Sequence, residues 1–190
     1  MTSAAPEPPR QRCHWAQSNA LMRQYHDTEW GRPTRDSRLL WEMLLLESFQ
    51  SGLSWNTVLQ KRENFRRAFC GFDPHAVARL TPEDEARLVM DAGIIRSRGK
   101  IAATITNARA WVAMQEQGED FAQLVWSMAP APQTIPATSP PPSQTPHSRI
   151  LAAALKARGF TFVGPVTVYA WMQAIGMVND HEPGCFLHAG

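Results

Sequence analysis

The 190-residue chain has few cysteines, few tyrosines and almost no net charge: three Cys, two Tyr and a formal charge of +2. An odd cysteine count argues against a disulfide framework. No apolar run approaches the about 20 residues that a membrane-spanning helix needs. The first residues are polar and Pro-rich, unlike the basic and apolar stretches of a secretory signal. We therefore expect a cytoplasmic protein that does not enter a membrane.

The charge balance also limits how the chain can bind a polyanion. Nineteen Lys and Arg oppose seventeen Asp and Glu, so any nucleic-acid binding must come from a local patch and not from the field of the whole protein. The chain is 44% hydrophobic and 19% charged, a composition that supports a sizeable core. Its length is that of one ordinary domain.

Two segments look poorly ordered in the sequence. Residues 1–11 are predicted to form a loose arm, and residues 130–147 hold seven of the fifteen prolines. Proline lacks the N–H that a helix or a sheet requires, so this second segment is predicted to be an extended linker. We expect a single domain over 12–188 that contains this linker.

The remaining sequence predicts an all-α fold. Start and stop signals, such as the N-cap and N1 proline at Thr81-Pro82, delimit each helix. No segment alternates between apolar and polar residues for long enough to predict a strand. The predicted helices cover about 37–51, 56–70, a short stretch from 74, 82–93, 98–117, 120–128, 148–158, and a last one from 165.

Glu47 is the first candidate for a functional residue. Leu40, Met43 and Leu44 precede it at helical spacing, which places Glu47 on the apolar stripe of its helix. A buried carboxylate is costly unless it is paired or functional, and burial raises its pKa toward that of a working acid or base. The alternative is a structural glutamate paired with an arginine or capping a backbone. Glu42 in the same helix is predicted to pair with Arg38 on the wet face.

Aromatic residues lie in two segments near this helix. Gly52-Leu53-Ser54-Trp55 and the segment from Tyr25 to Gly31, which includes Trp30, are both predicted to be loops. Such rings are ordinarily core residues. The less common interpretation is that they stack on a planar ligand, which is how flipped nucleic-acid bases are held.

The two ends of the sequence carry a possible split metal site. His181 and Cys185 flank a Pro-Gly loop, while Cys13 and His26 lie near the start. Two cysteines and two histidines make a ligand set that suits structural zinc. More than 150 residues separate the two pairs, so spacing alone cannot establish the site, and a buried thiol with exposed histidines is the alternative. Rival ligands are His14, His75, His147 and His188, and Cys70 is predicted to be a core residue.

The segment from Leu155 to Thr167 is predicted to be two helices joined by a turn from Gly159 to Gly164. The first N–H groups of the second helix are free, and its dipole is positive at that end. A phosphate oxygen can bind there without lysines. Arg96, Arg98 and Lys100 are predicted to add cationic anchors. A helical corner with no ligand is the alternative.

Taken together, these segments closely resemble the bacterial 3-methyladenine DNA glycosylase I family, over nearly everything from Arg12 to Cys185. The matching runs are Arg12-Cys13 with Trp15, Tyr25-His-Asp-x-Glu-Trp-Gly31, Leu46-Glu-x-Phe-Gln-x-Gly-Leu-Ser-Trp55, Lys61-Arg-Glu-Asn64, Asp91-Ala-Gly-Ile-Ile-Arg96, Gly159-Phe-x-Phe-Val-Gly164 and Val178-Asn-Asp-His181. The arm before Arg12 and the proline-rich composition of the linker depart from the family pattern.

The resemblance implies a helix-hairpin-helix DNA-repair fold and three sets of site residues. The base pocket would hold Glu47 as its catalytic residue, with Tyr25, Trp55, Trp15 and Trp30 around the base. Gly159, Val163 and Gly164 would bind a DNA phosphate. Structural zinc would be held by Cys13, His26, His181 and Cys185, joining the N- and C-terminal segments.

The resemblance also implies an activity: a monomer that flips 3-methyladenine, and 3-methylguanine as a second candidate, out of double-stranded DNA and releases the free base by hydrolysis. Strand-cleaving relatives carry a lysine two residues past the hairpin's last glycine, where this chain has Val166, so no strand cleavage is expected. Two rivals remain: a DNA-binding module without catalysis, and a glycosylase that uses Asp180 in place of Glu47.

Overall fold

A computed structural model describes residues 10–130 and 141–188, and these residues form helices and turns without any strand. The all-α prediction is therefore confirmed for the described part of the chain. Short 3-10 turns lie at His14–Ser18 and Cys70–Phe72. The α-helices are α1 (Ala20–Thr28), α2 (Ser37–Gln50), α3 (Trp55–Gln60), α4 (Arg62–Ala68), α5 (Pro74–Ala78), α6 (Pro82–Met90), α7 (Arg98–Glu116), α8 (Phe121–Ser127), α9 (Pro146–Ala157) and α10 (Pro165–Ala174).

Helix α2 is the centre of the core. Every residue from Leu40 to Phe49 is buried, as expected for a helix that neighbours surround on all sides. It packs against α3, α7, α8 and α10. The Asp36 side chain accepts a hydrogen bond from the Leu39 N–H at 2.7 Å and caps its first turn. The central position of α2 means that any acid on it must be paired or must face a cavity.

Glu42 is such a buried acid, and the predicted Arg38 pair is wrong. Its carboxylate accepts from Arg62 Nε at 2.6 Å and lies 2.8 Å from Arg66 Nη2. Helix α4 packs both arginines beside α2, and this contact could not be read from local spacing. Arg38 instead donates to the Gly71 carbonyl oxygen at 2.6 and 3.0 Å.

The predicted helix over 56–70 is split at Lys61 into α3 and α4. After α4 the chain turns sharply, with positive φ at Cys70, Gly71 and Phe72. This turn buries both Phe69 and Phe72 and leaves Cys70 exposed. The prediction of a core Cys70 is therefore wrong, because burying the two flanking phenylalanines turns the thiol outward.

Helix α1 was missed in the sequence, where part of it was predicted to be a loop. The Asn19 side chain accepts a hydrogen bond from the Met22 N–H and caps the helix. Met22, Tyr25 and His26 then lie on its buried face. This helix directs Tyr25 and His26 toward the interior, where the first enters a cavity and the second a cysteine–histidine group.

The chain ends and the linker are described only in part. Residues 1–9 of the predicted arm and 131–140 of the predicted linker lie outside the described residues. Gln11 is fixed, since its carbonyl oxygen accepts from the Phe186 N–H at 2.9 Å. Helix α9 begins at Pro146, two residues earlier than predicted, because Thr145 forms a capping box with Ser148. Among the described helices, none has the length and apolar content required to cross a membrane.

Candidate functional site

A cavity of about 480 Å³ opens where the turn His14–Ser18 meets α1, α2, α3 and α10. Its volume falls in the range of small-molecule sites. It brings together all five residues predicted for the base pocket. The lining residues are Trp15, Ser18, Met22, Tyr25, Trp30, Glu47, Gln50, Ser54, Trp55, Asn56, Ala170 and Gln173.

Glu47 supplies a carboxylate to this cavity. The residue is 7% exposed, and its carboxylate makes no hydrogen bond or ion pair with any other described residue. Burial raises its pKa to about 8, because desolvation penalises the charged form. Glu42, one turn earlier on the same helix, is equally buried but is paired with two arginines. Glu42 is therefore a structural acid, whereas the Glu47 carboxylate is available to a ligand in the cavity.

Aromatic rings form the walls of the cavity. The Tyr25 and Trp55 ring centroids are 5.3 Å apart, and those of Trp15 and Trp30 are 5.1 Å apart in an edge-to-face arrangement. The Tyr25 hydroxyl and the Trp55 indole N–H are buried without a hydrogen-bond partner in the described chain. Burial, and then the charge of Glu47, raises the pKa of Tyr25 well above its usual value. A planar ligand with polar edges fits such a site.

Two further residues of the cavity come from α10 and were not predicted. Ala170 and Gln173 are three positions apart and therefore share a helix face. Asp180, the alternative catalytic acid, is not among the residues that line the cavity. Its Oδ2 accepts from the Tyr169 hydroxyl at 2.5 Å and from Gln173 Nε2 at 2.7 Å. Asp180 is thus linked to the cavity lining through its hydrogen bond with Gln173.

The predicted metal ligands also converge, on the other side of Trp15 and Trp30. Ligand atoms of Cys13, His26 and Cys185 all lie within 4.8 Å of one another, and the three residues are buried. Cys185 Sγ is 3.4 Å from His26 Nε2. His181 lies outside this triad, but its ring centroid is 5.2 Å from that of His26. Its Nε2 is buried and has no hydrogen-bond partner among the described residues.

The outer nitrogens of both histidines are held by side chains. His26 Nδ1 is 2.8 Å from Asp27 Oδ1, and His181 Nδ1 is 2.9 Å from Asn179 Oδ1. Arg12 fixes Asp27 in turn, at 2.8 and 2.9 Å. When Nδ1 of each imidazole donates its hydrogen to these oxygens, Nε2 carries a lone pair that can bind a metal, as in histidines that are metal ligands. The cysteine–histidine group could therefore hold a metal ion.

The cysteine–histidine group and the cavity share a wall. The Trp15 ring centroid is 5.4 Å from that of His26, and the Trp30 centroid is 4.6 Å from that of His181. Both contacts are edge-to-face. Because the two tryptophans also line the cavity, their positions depend on how the two histidines are held.

The turn between α9 and α10 is fixed by hydrogen bonds at its start and centre. Gly159 has φ +89°, and bonds from Gly159 N to Lys156 O and from Phe160 N to Leu155 O end α9. The Asn107 amide bonds both the N–H and the carbonyl of Thr161, at 2.7 and 3.0 Å. The turn is thus held to α7 and cannot shift independently.

The end of the turn is open. Gly164 is the N-cap of α10, and no side chain caps the helix there; a Cβ at this position would meet nothing within 4 Å. Val163, by contrast, is buried. Lys100, predicted as a cationic anchor, instead donates to the carbonyl oxygens of Phe49 and Ser51 at 2.8 and 2.7 Å. Its ammonium caps the end of α2, where free carbonyls attract a cation.

Comparisons with known proteins agree with this architecture. A family model for methyladenine glycosylase matches residues 15–188. DNA-3-methyladenine glycosylase 1 of Escherichia coli (strain K12) is 52% identical over 183 residues, which cover 95% of this chain and 98% of that protein. DNA-3-methyladenine glycosylase of Haemophilus influenzae is 43% identical over 177 residues, covering 92% and 96%.

Solved structures give the same result. A crystal structure of 3-methyladenine DNA glycosylase I superposes with a TM-score of 0.90 at 54% identity, covering 94% of this chain and all of that one. A structure of the Staphylococcus aureus enzyme, described as the basis of 3-methyladenine recognition, gives 0.86 at 32% identity and covers 94% and 97%. The chain belongs to the methyladenine glycosylase family.

Proposed function

We propose that the chain releases 3-methyladenine from alkylated double-stranded DNA by hydrolysis, as the first step of base-excision repair in the bacterial cytoplasm, with 3-methylguanine as a second substrate. The observation that carries this proposal is Glu47, a buried carboxylate in an aromatic cavity that no residue of the described chain pairs with. Such a site favours a flat cation that can stack and donate hydrogen bonds.

The chemistry of the damaged base fits this site. Methylation at N3 leaves adenine cationic, so its bond to the sugar is already weak and needs little help from a general acid. The protein must extrude the base, recognise it and shelter the departing ring. Glu47 can accept a hydrogen bond from the exocyclic amine and can stabilise the positive ring electrostatically. Normal adenine is neutral and gains less from the same carboxylate.

The aromatic walls add to this selectivity. The faces of Tyr25 and Trp55 attract a positive ring through their quadrupoles, while Trp15 and Trp30 complete the walls. In related structures, a tyrosine-to-phenylalanine variant is in complex with 3-methyladenine and a glutamate-to-glutamine variant is also known. Tyrosine and glutamate are the residue types that adjoin in this cavity, where the charge of Glu47 acts on Tyr25.

Water is proposed as the nucleophile. A glycosylase that also cleaves the strand needs an amine to attack the sugar, and the position two residues past Gly164 is Val166, which is 55% exposed. An aliphatic side chain there offers no amine. We therefore expect the products to be a free base and an abasic strand without a break.

Zinc is proposed as a structural ion, held by Cys13, His26, His181 and Cys185. The triad of buried donors, the unpartnered Nε2 of His181 and the held Nδ1 atoms all fit this ion. Four protein ligands would leave no open coordination position, as in structural sites. Zinc, when bound, would supply the positive charge that stabilises two buried thiolates and would join the two ends of the chain.

A base-release assay tests the proposed activity. Methylated DNA incubated with the protein should yield free 3-methyladenine, with a smaller amount of 3-methylguanine, and the abasic strand should remain intact until it is treated with alkali. The released bases are separated chromatographically, and the strand is followed on a denaturing gel. Absence of any free base would favour a binding module without catalysis, and strand breaks without alkali would contradict the hydrolytic mechanism.

The turn between α9 and α10 is proposed to act as a helix-hairpin-helix motif that binds a DNA phosphate. Gly159 adopts the positive φ that the turn requires, and the side chain of Val163 is buried in the core. Gly164 has no side chain to cover the free N–H groups at the start of α10. The open space at Gly164 makes a clean test possible. Because a Cβ added there meets no described atom within 4 Å, a side chain can be introduced at this position to obstruct the phosphate.

We expect Gly164→Leu to weaken DNA binding about tenfold and to lower the free energy of unfolding by no more than about 1 kcal/mol, the cost of an apolar N-cap. Affinity for a methylated or abasic duplex is measured by fluorescence anisotropy at several salt concentrations. The salt dependence of the unmodified protein should be shallow, since few side-chain cations take part. Ile150→Ala serves as a control, because Ile150 is exposed on α9 away from the turn. Unchanged affinity in Gly164→Leu would place the phosphate site elsewhere.

A further inference from the structure

Gln173 lines the cavity but has no part in the chemistry described so far. It lies in the last turn of α10, on the same face as Ala170. Together they form the part of the cavity contributed by the C-terminal half of the chain. The hydrogen bonds of this polar side chain decide which of its atoms can face a ligand.

The orientation of the Gln173 amide is fixed by its partner. Its Nε2 donates to Asp180 Oδ2 at 2.7 Å. A carboxylate can only accept, so the NH₂ group must be the end that faces Asp180. The same Oδ2 accepts from the Tyr169 hydroxyl at 2.5 Å, and Tyr169 is 2% exposed. The carboxylate is therefore held by the core and in turn holds the amide.

The opposite end of the amide, Oε1, is unbonded in the part of the chain that the structure describes. No donor among the described residues bonds Gln173 Oε1, and the residue adjoins the cavity. An unbonded carbonyl oxygen beside a ligand site can accept a hydrogen bond from a ligand. A base with an N–H at that edge would gain a hydrogen bond, whereas a carbonyl there would face the oxygen lone pairs.

We propose that Gln173 is a specificity-determining residue that presents its carbonyl oxygen to one N–H of the exocyclic amine of the bound base, whose other N–H is left for Glu47, with Asp180 as the positioning residue. The inference rests on the proposed function and deepens it. Methylated adenine carries an amine at this ring position, where methylated guanine carries a carbonyl. The pair Gln173–Asp180 would then favour release of 3-methyladenine over 3-methylguanine. In this proposal Asp180 orients Gln173 and does not touch the reacting atoms.

A double-mutant cycle tests this proposal with Gln173→Met, Asp180→Ala and the two combined. Methionine keeps the length of the side chain and removes the acceptor. We expect Gln173→Met to raise the Kd for free 3-methyladenine about five- to tenfold, the usual effect of one hydrogen bond. The ratio of 3-methyladenine to 3-methylguanine release should fall by a similar factor. Asp180→Ala should act in the same direction, and the double variant should be no worse than Gln173→Met, because both changes remove one interaction.

Three controls separate this test from other causes. The zinc content and urea unfolding midpoint of each variant detect damage to the neighbouring His181 or to the fold. Asp180→Asn, which retains the shape of the side chain, provides a milder variant if Asp180→Ala does not fold. An unchanged base preference in Gln173→Met, an equal loss for both bases, or additive losses in the cycle would each overturn the proposal. Failure of the proposed function is distinct, since the unmodified protein would then release neither base.

Discussion

Replacing Glu47 with glutamine should lower 3-methyladenine release from DNA at least tenfold near pH 8 while making the folded protein more stable. Glutamine keeps the shape of the side chain and removes the charge that attracts the cationic base. A loss of about 1.4 kcal/mol of this attraction is tenfold in rate. The effect is limited because the methylated base leaves readily without acid help. Single-turnover release from methylated DNA measures it.

The pH dependence of release should identify the same group. Burial raises the pKa of Glu47 to about 8, and only the ionised form attracts the cation. We therefore expect kcat/KM, which reports groups of the free enzyme, to rise with pH up to about 8 and then level. In Glu47→Gln the profile should be flat over this range. An unchanged profile would show that another group titrates.

The stability of the same variant should change with pH in a defined direction. The folded pKa of Glu47 lies above the ordinary value of 4.5, so its burial costs nothing below pH 4.5 and costs most above pH 8. Glu47→Gln should be about 2 kcal/mol more stable than the unmodified protein at pH 9, and the difference should nearly vanish at about pH 4. Urea denaturation at both pH values measures it.

Glu42→Gln is the matched control, because it makes the same chemical change in the same helix. It leaves Arg62 and Arg66 beside an uncharged amide. Because Glu29 and Glu63 still pair with the two arginines, this variant should lose about 2 kcal/mol of stability. Asp180→Asn provides the catalytic comparison. If Asp180→Asn abolished release while Glu47→Gln released and bound the base normally, the assignment of Glu47 would be wrong.

Removing the metal should affect both stability and base binding. We expect one tightly bound zinc per chain, and we expect Cys185→Ser to lose it. Because zinc would link the two ends and so close a very long loop, losing it should lower the free energy of unfolding by about 4 kcal/mol or more. Elemental analysis and urea denaturation measure these effects. Carefully purified protein without zinc, or Cys185→Ser with unchanged zinc, would contradict the site.

The shared wall predicts a second effect of metal loss. Since Trp15 and Trp30 pack against His26 and His181, metal-free protein should bind free 3-methyladenine more weakly, even where it remains folded. Quenching of tryptophan fluorescence by the base gives the affinity. Cys70→Ser is the control, because Cys70 is exposed and outside the cysteine–histidine group. It should retain zinc, stability and base affinity.

Helix caps and N1 prolines predicted the parts of the fold that are set by residues close together in the sequence. The Asp36 and Thr81 caps and the N1 prolines set helix starts within a residue or two. The apolar neighbours of Glu47 correctly indicated its burial, but α2 is buried on every side, so the predicted wet face at Glu42 does not exist. Helix α1 was missed because its Asn19 cap precedes a mainly polar segment. The aromatic residues around Glu47 could be selected only through the family motifs, since ring spacing alone does not separate core from pocket.

Non-local contacts account for what could not be predicted. Glu42 lies twenty positions from Arg62, and nothing in the helix pattern indicates that α4 would supply its partners. Lys100 likewise looks like a surface cation until the end of α2 is placed beside it. Gln173 carries no sequence signal of its own, because its role depends on which side of α10 faces the cavity.

The meeting of the two chain ends bears on how the protein is made. His26 and Cys185 lie 159 positions apart, and Trp30 rests on His181. While the chain is still on the ribosome, Trp15 and Trp30 have already emerged, but the histidine and cysteine that complete their support have not. The wall beside Glu47 is therefore finished only after His181 and Cys185 have left the ribosome.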